Sequence, residues 1–204
     1  MSKPLNVVLL GNPNTGKTSV FNALTGLTQK VGNYPGITVE KKEGICKLNQ
    51  TTKGHIIDLP GTYSLNASSI DESIVIELLL NKNNKDFPDV AVVITDVENL
   101  KRNLLLFTQV KDLGLPTLLV INMSDQIKRK GISLDIPTLE NALDTKIALV
   151  SAREGKGFDV LKDAILNYRQ LSCSPSISLN SVDKEYFQNL EKTFPINLFT
   201  NYGW

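Results

Sequence analysis

The sequence predicts an α/β protein, a six-stranded and mainly parallel sheet with helices on both faces, followed by a partial helical segment. Three observations predict it. Short runs such as Val7-Val8-Leu9-Leu10 and Val90-Ala91-Val92-Val93-Ile94 are apolar at every position, as strands covered on both faces must be. Amphipathic stretches of helical period fall between those runs, so strand and helix alternate. The loops with chemical promise each follow a strand, at the carboxyl edge where such sheets bind ligands.

The elements follow in order. Asn6 to Leu10 is the first strand and Lys17 to Leu27 the first helix, ended by Gly26. Thr28 to Glu43, with two glycines and a proline, reads as a mobile loop of functional length. Strands at Val39 to Leu48 and Lys53 to Asp58 are expected to pair antiparallel. A helix over Ser69 to Asn81 precedes the Val90 strand, and a helix over Leu100 to Leu113, stopped by Gly114, precedes the strand Thr117 to Asn122. A short helix at Thr138 to Leu143, a strand at Ile147 to Val150 and a helix at Phe158 to Tyr168 complete the alternation. Residues 1–170 are expected to form one domain; residues 171–204 read as a linker and an amphipathic helix at Val182 to Thr193, with an apolar, aromatic end that suggests a partner surface or a second module of which only the beginning is present.

Composition narrows the classes. Twenty-two basic residues against 21 acidic ones leave a net charge of +1, so no nucleic-acid surface is announced. The two cysteines, Cys46 and Cys173, match neither a disulfide framework nor a metal spacing and read as inert thiols of a reducing compartment. Apolar runs of about five residues are too short to cross a bilayer, and no signal peptide opens the chain, so a soluble segment is expected.

Gly11-Asn12-Pro13-Asn14-Thr15-Gly16-Lys17-Thr18, with Ser19 after it, has the spacing of a phosphate-binding loop between strand and helix. Its backbone N–H groups can wrap a phosphate chain at the positive end of the helix, Lys17 can reach the β and γ phosphates, and the Thr18 hydroxyl can ligate Mg²⁺. Asp58-x-x-Gly61 adds a carboxylate for the Mg²⁺ shell and a glycine N–H for the γ phosphate. Thr38, beside Gly36 and Ile37 in the mobile loop, can close on the metal as a further ligand. Asn122-Met123-Ser124-Asp125 ends a strand and places a carboxylate where guanine offers N1–H and its 2-amino group, donors that adenine lacks. Ser151 and Ala152, followed by Arg153, end the next strand, where the Ala152 N–H can meet guanine O6.

Taken together these spacings resemble the P-loop G-domain of Ras-like GTPases over Asn6 to about Tyr168. Within that superfamily, Gly11 to Thr18, Val31-Gly-Asn-Tyr-Pro-Gly-Ile-Thr-Val-Glu40, Asp58-Leu-Pro-Gly-Thr-Tyr-Ser-Leu65 and Asn122-Met-x-Asp125 resemble the N-terminal cytoplasmic domain of the ferrous iron transport protein B family. The resemblance implies GTP and GDP as ligands, Mg²⁺ as cofactor, a membrane permease domain of the same polypeptide as partner, a helical domain after the G-domain of which residues 171–204 would be the start, cut short at Trp204, and a place on the cytoplasmic face of the bacterial inner membrane; a homo-oligomer is left open. It also implies that Asn14 ligates a K⁺ ion standing in for an arginine finger, with Asn14, Lys17, Thr38 and Gly61 as the catalytic set. Two residues depart from the general GTPase pattern. Thr62 stands where many members have a water-orienting glutamine and Met123 where a lysine usually stacks on the base, so slow intrinsic turnover is expected, of the order of 10⁻⁴ to 10⁻³ s⁻¹.

An enzyme coupled to iron permeation is one reading, a nucleotide switch acting through Thr38 and Tyr63 with negligible turnover another, and a ribosome-associated GTPase a third. Asp125 argues against an ATP-dependent kinase. His55 is expected to be a half-buried strand residue, Lys41-Lys42 and Lys128-Arg129-Lys130 solvated charge runs, and Asp71, Glu72 and Glu77 ordinary helix residues. Arg102, Arg129 and Arg153 are given solvent-exposed roles.

Overall fold

A computed structural model describes residues 3–26, 29–34, 37–66, 69–176, 185 and 189. The seven strands are β1 (Leu5–Gly11), β2 (Gln29–Asn33), β3 (Glu40–Lys47), β4 (Lys53–Asp58), β5 (Val90–Asp96), β6 (Thr117–Asn122) and β7 (Ile147–Leu149). They form one sheet in the order β2-β3-β4-β1-β5-β6-β7. β4, β1, β5, β6 and β7 run parallel, while β3 pairs antiparallel with β4 in the register Lys42 to Asp58, and β2 antiparallel with β3. The fold class holds, with seven strands where six were expected.

The additional strand is β2, inside the stretch expected to be loop. Gln-Lys-Val-Gly-Asn has no alternation to read because β2 is an edge strand with almost every residue exposed, Val31 at 63%. Lys30 on such an edge is a familiar guard against pairing with other chains.

The helices are α1 (Lys17–Thr25), α2 (Ile70–Leu80), α3 (Leu100–Asp112), α4 (Asp125–Lys130), α5 (Ile136–Leu143) and α6 (Phe158–Leu166). Their ends follow local chemistry. Ser69 accepts the Glu72 N–H to start α2, and Asp135 accepts the Thr138 N–H to start α5 two residues earlier than the periodicity indicated. Gly26 and Gly114, both at positive φ, lie at the ends of α1 and α3 as expected. α4 was not anticipated: six residues long and burying none, it has no apolar face to read. The expected helix at Val182 to Thr193, Gly36, and most of the segment after residue 176 lie outside the described residues.

Alternation along β1 divides the core. Val7 and Leu9 face α1 and α6, packing with Phe21, Ile56, Leu161 and Ile165; Val8 and Leu10 face α2 and α3, packing with Ile57, Leu78, Phe107 and Leu119. Lys111 of α3 is 2% exposed, yet its ammonium donates to the carbonyls of Leu143 and Asp144 at 2.6 and 2.7 Å, satisfying the C-terminal end of α5. No helix among the described residues is long and apolar enough to cross a membrane.

Phe107 is fully buried between α3 and the sheet. Phe107→Ala is expected to lower unfolding free energy by about 3–5 kcal/mol, measured by urea denaturation.

Candidate nucleotide site

β1 ends at Gly11, whose Cβ, were there one, would lie 2.5 Å from the Ile94 carbonyl oxygen of the neighbouring strand. The loop then turns through Asn14, a non-glycine at φ 69°, to Gly16 at φ 80°, the N-cap of α1. Four of its carbonyls are engaged within the protein. That of Gly11 accepts the Thr62 N–H (3.2 Å), that of Asn12 the Thr15 hydroxyl (2.9 Å), that of Thr15 the Asn122 amide (3.0 Å), and that of Gly16 the Val20 N–H (3.0 Å). With the carbonyls held back and the first turn of α1 lacking intrahelical acceptors, the loop's concave side is a bed of N–H donors and positive dipole.

An open cleft of about 460 Å³ adjoins this bed, lined by Lys17, Thr18, Thr38, Asp58 and Gly61 among others. The Lys17 ammonium is paired directly with Asp58, and the Thr18 hydroxyl lies 3.3 Å from the other carboxylate oxygen. Thr18 and Asp58 therefore present adjoining hard oxygens, and Thr38 lines the same space, a donor set suited to Mg²⁺. Gly61 packs on Pro13, where a Cβ would meet the proline ring at 3.3 Å. Ile37 is half-buried and Ser19 exposed.

On the base side, Asn122 is 3% exposed at the end of β6. Its amide nitrogen holds Thr15, and its oxygen accepts the Ala152 N–H at 3.2 Å, so the N–H assigned to guanine O6 is already engaged within the protein. Asp125 opens α4, half-buried, with one oxygen accepting the Ser151 hydroxyl at 2.8 Å. Met123, at φ 60°, reaches over Gly16, and Arg153 is exposed.

Several further groups border the site, and one of them, Lys41, was misread from sequence. Lys42 lines the cleft, and so does Asp71, from the first turn of α2 where it was expected; Lys42 donates to Glu40 at 2.9 Å, a bond that holds its ammonium above the ordinary lysine range. Lys41 is not solvated, being paired with Glu43 and Asp86. Arg102 lies over the Tyr63 ring, 4.7 Å from its centroid, beside a smaller pocket lined by Asn12, Pro13 and Asn14. Thr62 is buried, its hydroxyl donating to the Ser64 carbonyl at 2.6 Å with Glu72 at 3.3 Å, turned away from the cleft. Tyr34 is 9% exposed, and burial, followed by the fields of Asp86, Asp58 and Glu43, pushes its phenol well above the ordinary range. Lys41–Asp86 and Arg102–Tyr63 join segments far apart in sequence, and no local pattern announces them.

A phosphate loop at the end of β1, a strand-end Asp58 and an Asn-x-x-Asp at the end of β6, on this sheet order, define a Ras-like P-loop G-domain. The chain belongs to the ferrous iron transport protein B family, whose profile matches residues 5–165. It is 45% identical over 161 residues to the Fe(2+) transporter FeoB of Leptospira biflexa, a match covering 78% of this chain and 23% of that protein. The chain therefore spans about a quarter of that relative's length. Among solved structures it is similar to the cytosolic domain of L. pneumophila FeoB (TM-score 0.82, 34% identity, 97% of this chain and 81% of that one). It is also similar to a single-residue mutant of S. thermophilus NFeoB bound to mGDP (TM-score 0.80, 32% identity, 93% and 72%).

A Cβ at Gly16 would lie 2.3 Å from the Asn122 amide nitrogen, and the left-handed backbone there disfavours any side chain. Gly16→Ala is expected to cost at least about 1–2 kcal/mol of stability and to loosen Asn122, seen as a lower denaturation midpoint and increased amide exchange at Ala152.

Proposed function

We propose that this chain binds GTP and hydrolyses it slowly, as the GTPase module of a ferrous iron transporter on the cytoplasmic face of a membrane. The observation that carries the reading is the convergence of Lys17, Thr18 and Asp58 in one cleft, with Asn122 joining that cleft's loop to the Asp125–Ser151 pair. The mGDP held by the S. thermophilus relative supports the nucleotide, and membership of the family favours a transporter module over a ribosome-associated protein.

The loop N–H groups and Lys17 bind the β and γ phosphates; Thr18, Asp58 and Thr38 hold Mg²⁺. When bound, Mg²⁺ supplies neutralisation of phosphate charge. The Gly61 N–H orients the γ phosphate. Asp125 reads guanine N1–H and its 2-amino group, and Asn122, Met123, Ala152 and Arg153 border the base. Asn14, exposed at the rim of the loop, is the K⁺ ligand in this reading, its side-chain oxygen adding a cation where charge develops. A switch with negligible turnover is the second reading, favoured by Thr62, whose hydroxyl is committed to Ser64 and Glu72 rather than to a water.

GTP turnover compared in KCl and NaCl at fixed Mg²⁺ and ionic strength separates the two. Activation by K⁺ of about tenfold or more, equivalent to ~1.4 kcal/mol of barrier, is expected in the wild type and absent in Asn14→Gly, which keeps the left-handed backbone while removing the ligand. Equal slow rates in both salts would leave the switch. Asp125→Asn is expected to shift preference from guanine to xanthine nucleotides by about 10²-fold or more, checked by competition binding; undiminished GTP affinity would remove Asp125 from the base site.

A further inference from the structure

We propose that Glu43, His55 and Asp86 form a second cation site, outside the nucleotide cleft, which takes a divalent transition-metal ion in competition with the ammonium of Lys41. The three come from β3, β4 and the connection between α2 and β5, and each offers one ligand atom within 4.8 Å of the others. Lys41 now bridges the two carboxylates, 2.8 Å from Glu43 and 2.7 Å from Asp86, with its side chain 13% exposed.

The tautomer of His55 points to a ligand. The Asn6 amide nitrogen donates to the carbonyls of Lys85 and Phe87, both at 3.0 Å, which fixes its orientation and leaves its oxygen as an acceptor. His55 Nδ1, 3.2 Å from that oxygen, must therefore carry a proton. In the neutral ring the Nε2 lone pair then faces the Glu43 carboxylate at 3.3 Å, acceptor against acceptor. Such an arrangement is favourable only with a positive charge between or on the two groups. An imidazole whose distal N–H is held by an amide oxygen and whose other nitrogen looks toward carboxylates is the usual preparation of a metal-binding histidine.

Charge and donor type agree. Two carboxylates against one ammonium leave a formal deficit of one positive charge, which a divalent ion removes once Lys41 turns out to solvent. One imidazole nitrogen with two carboxylate oxygens suits Fe²⁺, Zn²⁺ or Co²⁺ better than Mg²⁺ or Ca²⁺. Lys41 lies three residues after Thr38, so an ion that dislodges it acts on the strand leading out of the nucleotide cleft. That the ion in the cell is Fe²⁺, making this a sensor of the transported metal, rests on the transport reading above; the site itself does not.

His55 is the chain's only histidine, so its ring signals in NMR spectra of the untagged chain are unambiguous. With GDP and excess Mg²⁺ present, one equivalent of Zn²⁺ is expected to shift both His55 ring protons. The affinity should tighten about tenfold in Lys41→Met and weaken about tenfold or more in Glu43→Gln and in Asp86→Asn. Ring signals that stay in place in the wild type and in Lys41→Met overturn the site. So do equal shifts in Glu43→Gln and Asp86→Asn, which would mean an imidazole binding alone. Should Lys41→Met fail to fold, the two carboxylate variants still decide. GDP affinity measured on the same samples separates this outcome from the nucleotide reading, since loss of Zn²⁺ binding with GDP binding intact touches only the second site.

Discussion

One buried amide holds the nucleotide site together. The nitrogen of Asn122 grips the Thr15 carbonyl in the phosphate loop and its oxygen grips the Ala152 N–H in the loop after β7, so three segments spread along the length of the domain share one side chain. The contact demands that nothing stand between Asn122 and the loop, and glycine at position 16 is the residue that leaves the space. A primary amide suits the place because it donates and accepts at once; a carboxylate or a hydrocarbon of similar shape would leave a buried polar group unpaired. A site assembled in this way is largely preorganised before any ligand arrives.

Other elements around the cleft are held in a second tier. The Asn12 amide donates to Asn103 of α3 at 2.7 Å, and Asn103 donates in turn to Asp96 at the end of β5. Gln109, also on α3, accepts the Leu65 N–H, and Arg102 covers Tyr63. α3 is thus the frame against which the phosphate loop and the segment after Asp58 both rest. It is amphipathic for two reasons: Leu106, Phe107 and Val110 serve the core, while Arg102, Asn103 and Gln109 serve the site.

Sequence legibility follows the kind of signal each element carries. β1, β5 and β6 are apolar throughout because both faces are covered, and their runs are unmistakable. The phosphate loop, Asp58 and Asn122-x-x-Asp125 are fixed-spacing patterns whose chemistry demands particular residues, so their placement at strand ends was readable. β2 was missed because an exposed edge strand buries nothing, and α4 because six residues leave too little period. Lys41 was misassigned for a different reason. A charge looks solvated in sequence when its partner, as Asp86 is for Lys41, lies tens of residues away.

Tyr34 belongs to the same apolar cluster as Leu10, Leu59, Ile74 and Leu78, although it sits in the segment leading to Thr38. Any rearrangement that carries Tyr34 along with Thr38 over a bound ligand must draw this ring out of the core or find it another apolar seat. Exposure of an aromatic of this size costs about 2 kcal/mol, and a ligand can shift the balance only by as much as it prefers one arrangement over the other. In such a rearrangement the ring sets a threshold. A ligand whose preference for the moved arrangement is worth less than that leaves Tyr34 where it is, and one worth more repays its extraction.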